Sequence, residues 1–141
     1  TRAITLTGTL NAVAIASTSS IKSSSATAGI GYATGAGGSV TQLTNKTTGV
    51  TLNAICGRIT MASENIPAGD RRTFTVTNSA IENTDGVVAW IDTAGATSGT
   101  YQITVSQTLL GSFDLTVKND SSGGLNEALT LGFAIIKSVV A

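Results

Sequence analysis

Apolar and polar residues alternate along most of the chain with a period of two. In TFTVT (residues 73–77) Phe74 and Val76 alternate with threonines. YQITVS (101–106) puts Tyr101, Ile103 and Val105 on one face, and SFDLTVKN (112–119) does the same with Phe113, Leu115 and Val117. LTLGFAI (129–135) aligns Leu129, Leu131, Phe133 and Ile135. Each pattern predicts a strand with one face buried and the other solvated. Threonine is β-branched and suits the solvated face of a sheet.

GVTLNAICG (49–57) groups Val50, Leu52, Ala54 and Cys56, after which Ile59 and Met61 take over the apolar face. That change of phase at Gly57 predicts a bulge or sharp bend. GGSVTQLTN (37–45) reads as a strand. GVVAWID (86–92) is apolar on both faces, so it is either a central strand or an interface strand. ENIPAGD, IENTDG, TAGATSG and NDSSGG are turn-formers, and Gly111 with Ser112 marks a short turn. No segment carries a sustained helical period; GLNEALTL (124–131) holds one helical turn at most. Strands at roughly 8–12-residue spacing between such turns predict an all-β fold. The expectation is an antiparallel β-sandwich, jelly-roll-like, with an extended N-terminal arm.

The N-terminal segment differs in kind. ITLTGTL (4–10) and AVAIAS (12–17) are short strand-like pieces with small side chains, and STSSIKSSSATAG (17–29) is polar and of low complexity. Alone it cannot bury enough apolar area to offset its ordering entropy. Residues 1–36 are therefore read as an arm and Gly-rich hinge, and 37–141 as the β-domain. Ile4, Leu6, Leu10, Val13 and Ile15 are the arm's candidate contacts with neighbouring chains, by strand addition to an exposed sheet edge. A disordered linker is the other reading.

Composition narrows the function. The 141 residues carry Lys+Arg 8 and Asp+Glu 8, a net charge of zero, and only 11% are charged. No field exists to steer nucleic acid or anionic lipid, and a neutral, weakly charged surface favours self-association. There is no run of 18 apolar residues and no signal-peptide pattern at the start. The chain has no His, which removes the commonest general base near neutral pH and any Ser-His-Asp or Cys-His arrangement. Cys56 is the one cysteine. It cannot form an internal disulfide or hold zinc alone, and its apolar setting reads as a small buried hydrophobe.

The acidic residues Asp70, Glu82, Asp85 and Asp92 lie in or beside turns, where the usual role is a cap or Asx-turn. A pair of them set across a sugar would be the alternative, that of a polysaccharide-degrading enzyme. NTDG and NDSSGG lack the alternating ligands of a calcium loop. No cofactor, metal or catalytic residue is expected. Arg71 and Arg72, adjacent on a strand, point to opposite faces and make no nucleic-acid patch. Asn45 and Asn119 match the glycosylation acceptor pattern, which matters only on a eukaryotic secretory route.

The Gly-rich stretch SATAGIGYATGAGGSV (25–40) invites a phosphate-cradle reading, which its spacing defeats. GIGYATG is one residue too long for a dinucleotide fingerprint, no Lys follows, and a strand rather than a helix comes next. Gly29, Gly31, Gly35, Gly37 and Gly38 are instead expected to act as a hinge and to allow close chain packing. Trp90 and Tyr101 are candidates for an interface or for stacking on a sugar, against the commoner role of core anchors.

Three segments carry a family resemblance: GIGYATGAGGSVTQLTNKTTGVTLN (29–53), FTVTNSAIENTD (74–85) and GTYQITVSQTLLGSFDLTVKNDSSGGLNEALTLGFAIIK (99–137). Together they resemble small tailed-bacteriophage structural proteins, found as head-decoration or fibre components or as terminal domains of longer fibres. The resemblance leaves out the arm. It implies a non-enzymatic virion protein, trimeric, made in the bacterial host cytoplasm. The arm is shorter than a long fibre shaft would need, which favours a capsid decoration (cement) protein that oligomerises on the head against the major capsid protein. The alternative is a receptor- or glycan-binding fibre tip. Neither nucleic acid nor membrane is an expected partner.

Overall fold

A computed structural model describes Gly8 and residues 22–27, 29–93 and 100–139. The arm contacts expected at Ile4, Leu6, Leu10, Val13 and Ile15 lie outside the described residues, as does most of the TAGATSG turn. A compact unit spans Tyr32–Ala141. Its eight strands are β1 (Gly37–Thr41), β2 (Val50–Thr51), β3 (Cys56–Thr60), β4 (Arg71–Thr77), β5 (Gly86–Thr93), β6 (Tyr101–Leu109), β7 (Ser112–Asn119) and β8 (Thr130–Ile136). The described residues contain no helix, so none that could cross a membrane.

The strands form two four-stranded sheets. The first runs β1-β3-β8-β5 and the second β2-β4-β7-β6. Their buried faces are the apolar positions of the alternation: Ile59, Leu131, Phe133 and Ile135 from the first, Phe74, Val76, Phe113, Leu115 and Val117 from the second. All belong to one core cluster, so the all-β, sandwich-like expectation holds. Phe113 and Phe133 join the sheets directly, with ring centroids 5.1 Å apart and planes tilted by 56°, within the range that favours aromatic pairs. Truncating either ring to alanine would remove about 3–5 kcal/mol of burial and packing.

The pairing is not uniformly antiparallel, a correction to the expectation. β1 pairs β3 and β2 pairs β4 in parallel, whereas β3–β8, β4–β7, β5–β8 and β6–β7 are antiparallel. A parallel pair needs a crossover rather than a hairpin. The stretch from Gln42 to Ile55 supplies one by visiting the second sheet as β2 before returning to the first as β3.

The same crossover explains the phase change read near Gly57. GVTLNAICG is not one bulged strand. It leaves the second sheet after Thr51 and enters the first at Cys56. Ala54 N–H bonds the Leu52 carbonyl (3.0 Å), and Asn78 Nδ2 donates to the Ala54 carbonyl (2.7 Å), fixing the crossing. Alternation continues on both sides because each half faces the same core. The central-strand reading of GVVAWID is likewise overturned: β5 is an edge of its sheet. Its inner face (Val87, Ala89, Ile91) packs on the core while Val88 and Trp90 face outward.

Candidate functional site

The outer face of the first sheet holds the features that sequence reading singled out. The ladder register sets Ser39, Arg58, Gly132 and Trp90 opposite one another across β1, β3, β8 and β5. The next row is Gly37, Cys56, Ala134 and Val88. Small residues fill its centre and bulk rises at the β5 edge. Val88 is 50% exposed, Trp90 42% and Ile136 57%. This apolar row accounts for the outer-face hydrophobicity of GVVAWID.

Trp90 leans over β8. A Cβ on Gly132 would lie 2.3 Å from the indole Cε2 and 2.5 Å from Cζ2 and Nε1. Beside it, Arg58 Nε donates to Asp92 Oδ2 at 2.5 Å. The Arg58 hydrogen bond holds the Asp92 carboxyl below the usual carboxylate range, and a hydrogen bond from the Trp90 side chain adds to it. The Arg58 side chain is 66% exposed, so the pair sits at the surface and adds little stability.

The Gly-rich segment passes beside this row. Residues 32–35 and 37–39, with Cys56, Gly57, Arg58, Trp90, Phe133 and Ala134, line a cavity of about 650 Å³. Tyr32 is pinned there by its hydroxyl, which donates to the Ile135 carbonyl. Of the glycines expected to shape the chain path, Gly35 has φ +98°, a region that side chains disfavour. A Cβ on Gly37 would come 3.2 Å from Cys56 Sγ, and one on Gly38 2.8 Å from Leu52 Cδ1. Gly29 and Gly31 have open space around them and ordinary φ.

Tyr101 lies elsewhere. It begins β6 of the second sheet, is buried, and donates its hydroxyl to a Glu127 carboxylate oxygen. Burial and that carboxylate push the phenol well above its ordinary value. The structure thus separates Trp90 from Tyr101, and no sugar can lie across both.

The carboxylates are tied into ion pairs. Asp70 meets Arg72 Nη1 at 2.7 Å, and Arg72 also reaches Glu64 at 3.4 Å. Asp85, its side chain fully enclosed, takes Lys137 Nζ at 2.6 Å and the backbone N–H groups of Glu82 and Ser138. Among the described residues no group of three His, Cys, Asp or Glu side chains gathers as a metal site. Asn119, one of the glycosylation-pattern asparagines, is fully buried, its amide bonded to the Ile66 and Gly123 carbonyls.

Sequence reasoning missed Lys46. It is fully buried, and its Nζ donates to the Ala62 and Glu127 carbonyls at 2.5 and 2.7 Å. Burial lowers its pKa, opposed by the charges of Glu64 and Glu127. Two charge-assisted bonds tie the β1–β2 loop to the segments flanking β3 and β8. Nothing in the polar sequence around Lys46 signals burial. Arg58 with Asp92 was equally hidden, because its partners are 34 positions apart. No family model, no curated protein and no solved structure matches the chain.

Proposed function

We propose that this protein is a non-enzymatic structural component of a bacteriophage virion, a capsid decoration or cement protein that assembles as a homotrimer and braces the major capsid protein from the capsid surface. The observation that supports this reading most is the exposed apolar row Val88, Trp90 and Ile136 along the β5 side of the first sheet, on a chain with no net charge. Exposed apolar patches mark interaction surfaces, and the chain's zero net charge does not oppose association. Among the described residues no strand pairs with the outer side of β5. Its free backbone groups offer a template for another chain.

In this proposal the N-terminal arm, through Ile4, Leu6, Leu10, Val13 and Ile15, adds to a neighbour's sheet. A jelly-roll-like relation of the sheets belongs to the same proposal. The strict alternation of β1 to β6 between the two sheets supports it, and the two parallel pairs depart from it. The test is to mix purified protein with undecorated heads of the phage that encodes it. Binding with a raised head-disruption temperature is expected. Failure to bind, or binding without a gain in head stability, contradicts the reading.

A further inference from the structure

The two sides of the paired sheets differ. On the β1–β2 side, residues 42–55 cross from one sheet to the other and bridge them. On the other side the edge strands β5 and β6 lie next to each other. Their inward residues Val87, Ala89, Ile91, Ile103 and Val105 pack on the core yet stay half-buried. In the adjoining strands Leu131, Phe133, Leu115 and Val117 are fully enclosed. Five half-covered apolar residues along one side leave a seam between the sheets that another element can fill.

The backbone beside this seam is open as well. Ile135 N–H bonds the Ile55 carbonyl (2.8 Å), so the polar groups of Ile135 and, by alternation, of Phe133 and Leu131 turn toward β3. Those of Ala134 and Gly132 turn toward β5, opposite Val88 and Trp90. The N–H and C=O groups of Val87, Ala89 and Ile91 therefore point away from the sheet. Edge strands are usually guarded by charge, proline or a bulge. Residues 86–91 carry no charge and no proline, and the register of β5 shifts only beyond Ile91. The other edges fit less well. β6 shifts register in mid-strand, between Val105 and Gln107. β2 is two residues long, and β1 turns only Val40 to the core.

We infer that residues 4–10 of a neighbouring copy pair with β5 and complete its core, with Ile4, Leu6 and Leu10 turned into the seam over Val87, Ala89, Ile91, Ile103 and Val105. The segment ITLTGTL alternates Ile4, Leu6, Gly8 and Leu10 with Thr5, Thr7 and Thr9, the pattern of a strand with one buried face. Its threonines then continue the outer face beside Val88 and Trp90. Residues 11–31 separate it from Tyr32, a reach of up to about 70 Å, which suffices to cross to another chain. The inference rests on the self-assembly in the proposed function, and it adds the acceptor strand, the donor segment and the face that is buried.

The test is amide exchange of the full chain, read by NMR, together with its sedimenting mass. The expected result is an oligomer in which the Val87, Ala89 and Ile91 amides are protected. Leu6→Asp speeds their exchange about tenfold or more and lowers the mass to that of a monomer. Thr7→Asp, on the outer face of the same segment, changes neither. Both substitutions lie outside the compact unit Tyr32–Ala141, and unchanged protection of Leu115 and Val117 shows that its fold is kept. Four outcomes overturn the proposal: free exchange of the β5 amides in the unsubstituted chain, protection that survives Leu6→Asp, equal effects of the two variants, or protection in a monomer, which would put the chain's own segment on β5. Free exchange at β5 in a protein that still binds and stabilises heads removes this inference alone. Protection lost in Leu6→Asp, in a protein that does not bind heads, removes the capsid reading alone.

Discussion

Trp90 on β5 and Gly132 on β8 face each other across an antiparallel pair, and the indole occupies the space where residue 132 would carry a side chain. Alanine there puts a methyl 2.3 Å from Cε2, so the indole must swing outward. Gly132→Ala should cost about 1–3 kcal/mol, the range for overpacking, and red-shift the emission of the sole tryptophan. Unchanged emission and an unchanged urea midpoint would mean that the indole does not rest on β8.

Leu52, half-buried against the core, makes a second close approach. Its two methyls lie 2.8 and 2.7 Å from where Cβ atoms would stand on Gly38 and Gly57. At Gly57 the Gly38 carbonyl adds a backbone clash at 2.9 Å, and backbone cannot step aside as a side chain can. Gly57→Ala is therefore expected to destabilise more than Gly38→Ala, with both in the range of about 1–3 kcal/mol. Gly31→Ala, in open space, should stay within about 0.5 kcal/mol. Urea denaturation of the three variants checks the order.

These glycines show where the sequence is readable. β4, β6, β7 and β8 follow from their alternation because each has one face on a single core, and Phe113, Leu115 and Val117 sit inside as read. The sequence reads the break between β2 and β3 only as a bulge or sharp bend at Gly57, since Val50 and Ile59 keep the alternation going on both sides of the crossover. The two apolar faces of β5 were legible, but its edge position was not, because strand order is set by contacts between distant segments. The candidate site was half legible. Trp90 was singled out, whereas Tyr101, next along the chain in β6, belongs to the other sheet. Arg58, Asp92 and Tyr32 meet Trp90 only through the register of four strands and the path of the Gly-rich segment.

Lys46 stands in for a hydrophobic residue at the margin of the core. Lys46→Ala leaves the Ala62 and Glu127 carbonyls without their donor and opens a cavity. A loss of about 2–5 kcal/mol is expected, from the unsatisfied carbonyls and the cavity together. Lys46→Met, which keeps the volume, should recover part of it. Equal loss in both variants would show that the hydrogen bonds alone matter; no loss in either would contradict the assignment.

Acid should unfold the protein through its paired carboxylates. Lys137 holds Asp85 below 3.8, aided by the Glu82 and Ser138 amides. Tyr101 holds Glu127 below its ordinary value; Arg72 does the same for Asp70 and Arg58 for Asp92, but these surface pairs contribute little. Each folded-state pKa lies below the unfolded one, so the stabilisation is present above the unfolded value and disappears as pH falls through the folded value. The melting temperature should be flat above about pH 5 and fall steeply below about pH 4. Lys137→Ala should lower the plateau and make that fall shallower, since Asp85 then loses its main cause of depression. A fall of unchanged steepness in this variant would remove Asp85 from the explanation.

The central claim concerns where the protein sits and what it holds. Locating the chain in an electron-microscopy map of its native particle tests it most directly. The account predicts copies on the outside of the capsid shell, grouped in threes, with the β5 side of the first sheet against a neighbouring chain. Density at the tail tip, or on the shell with Val88, Trp90 and Ile136 facing solvent, would contradict it.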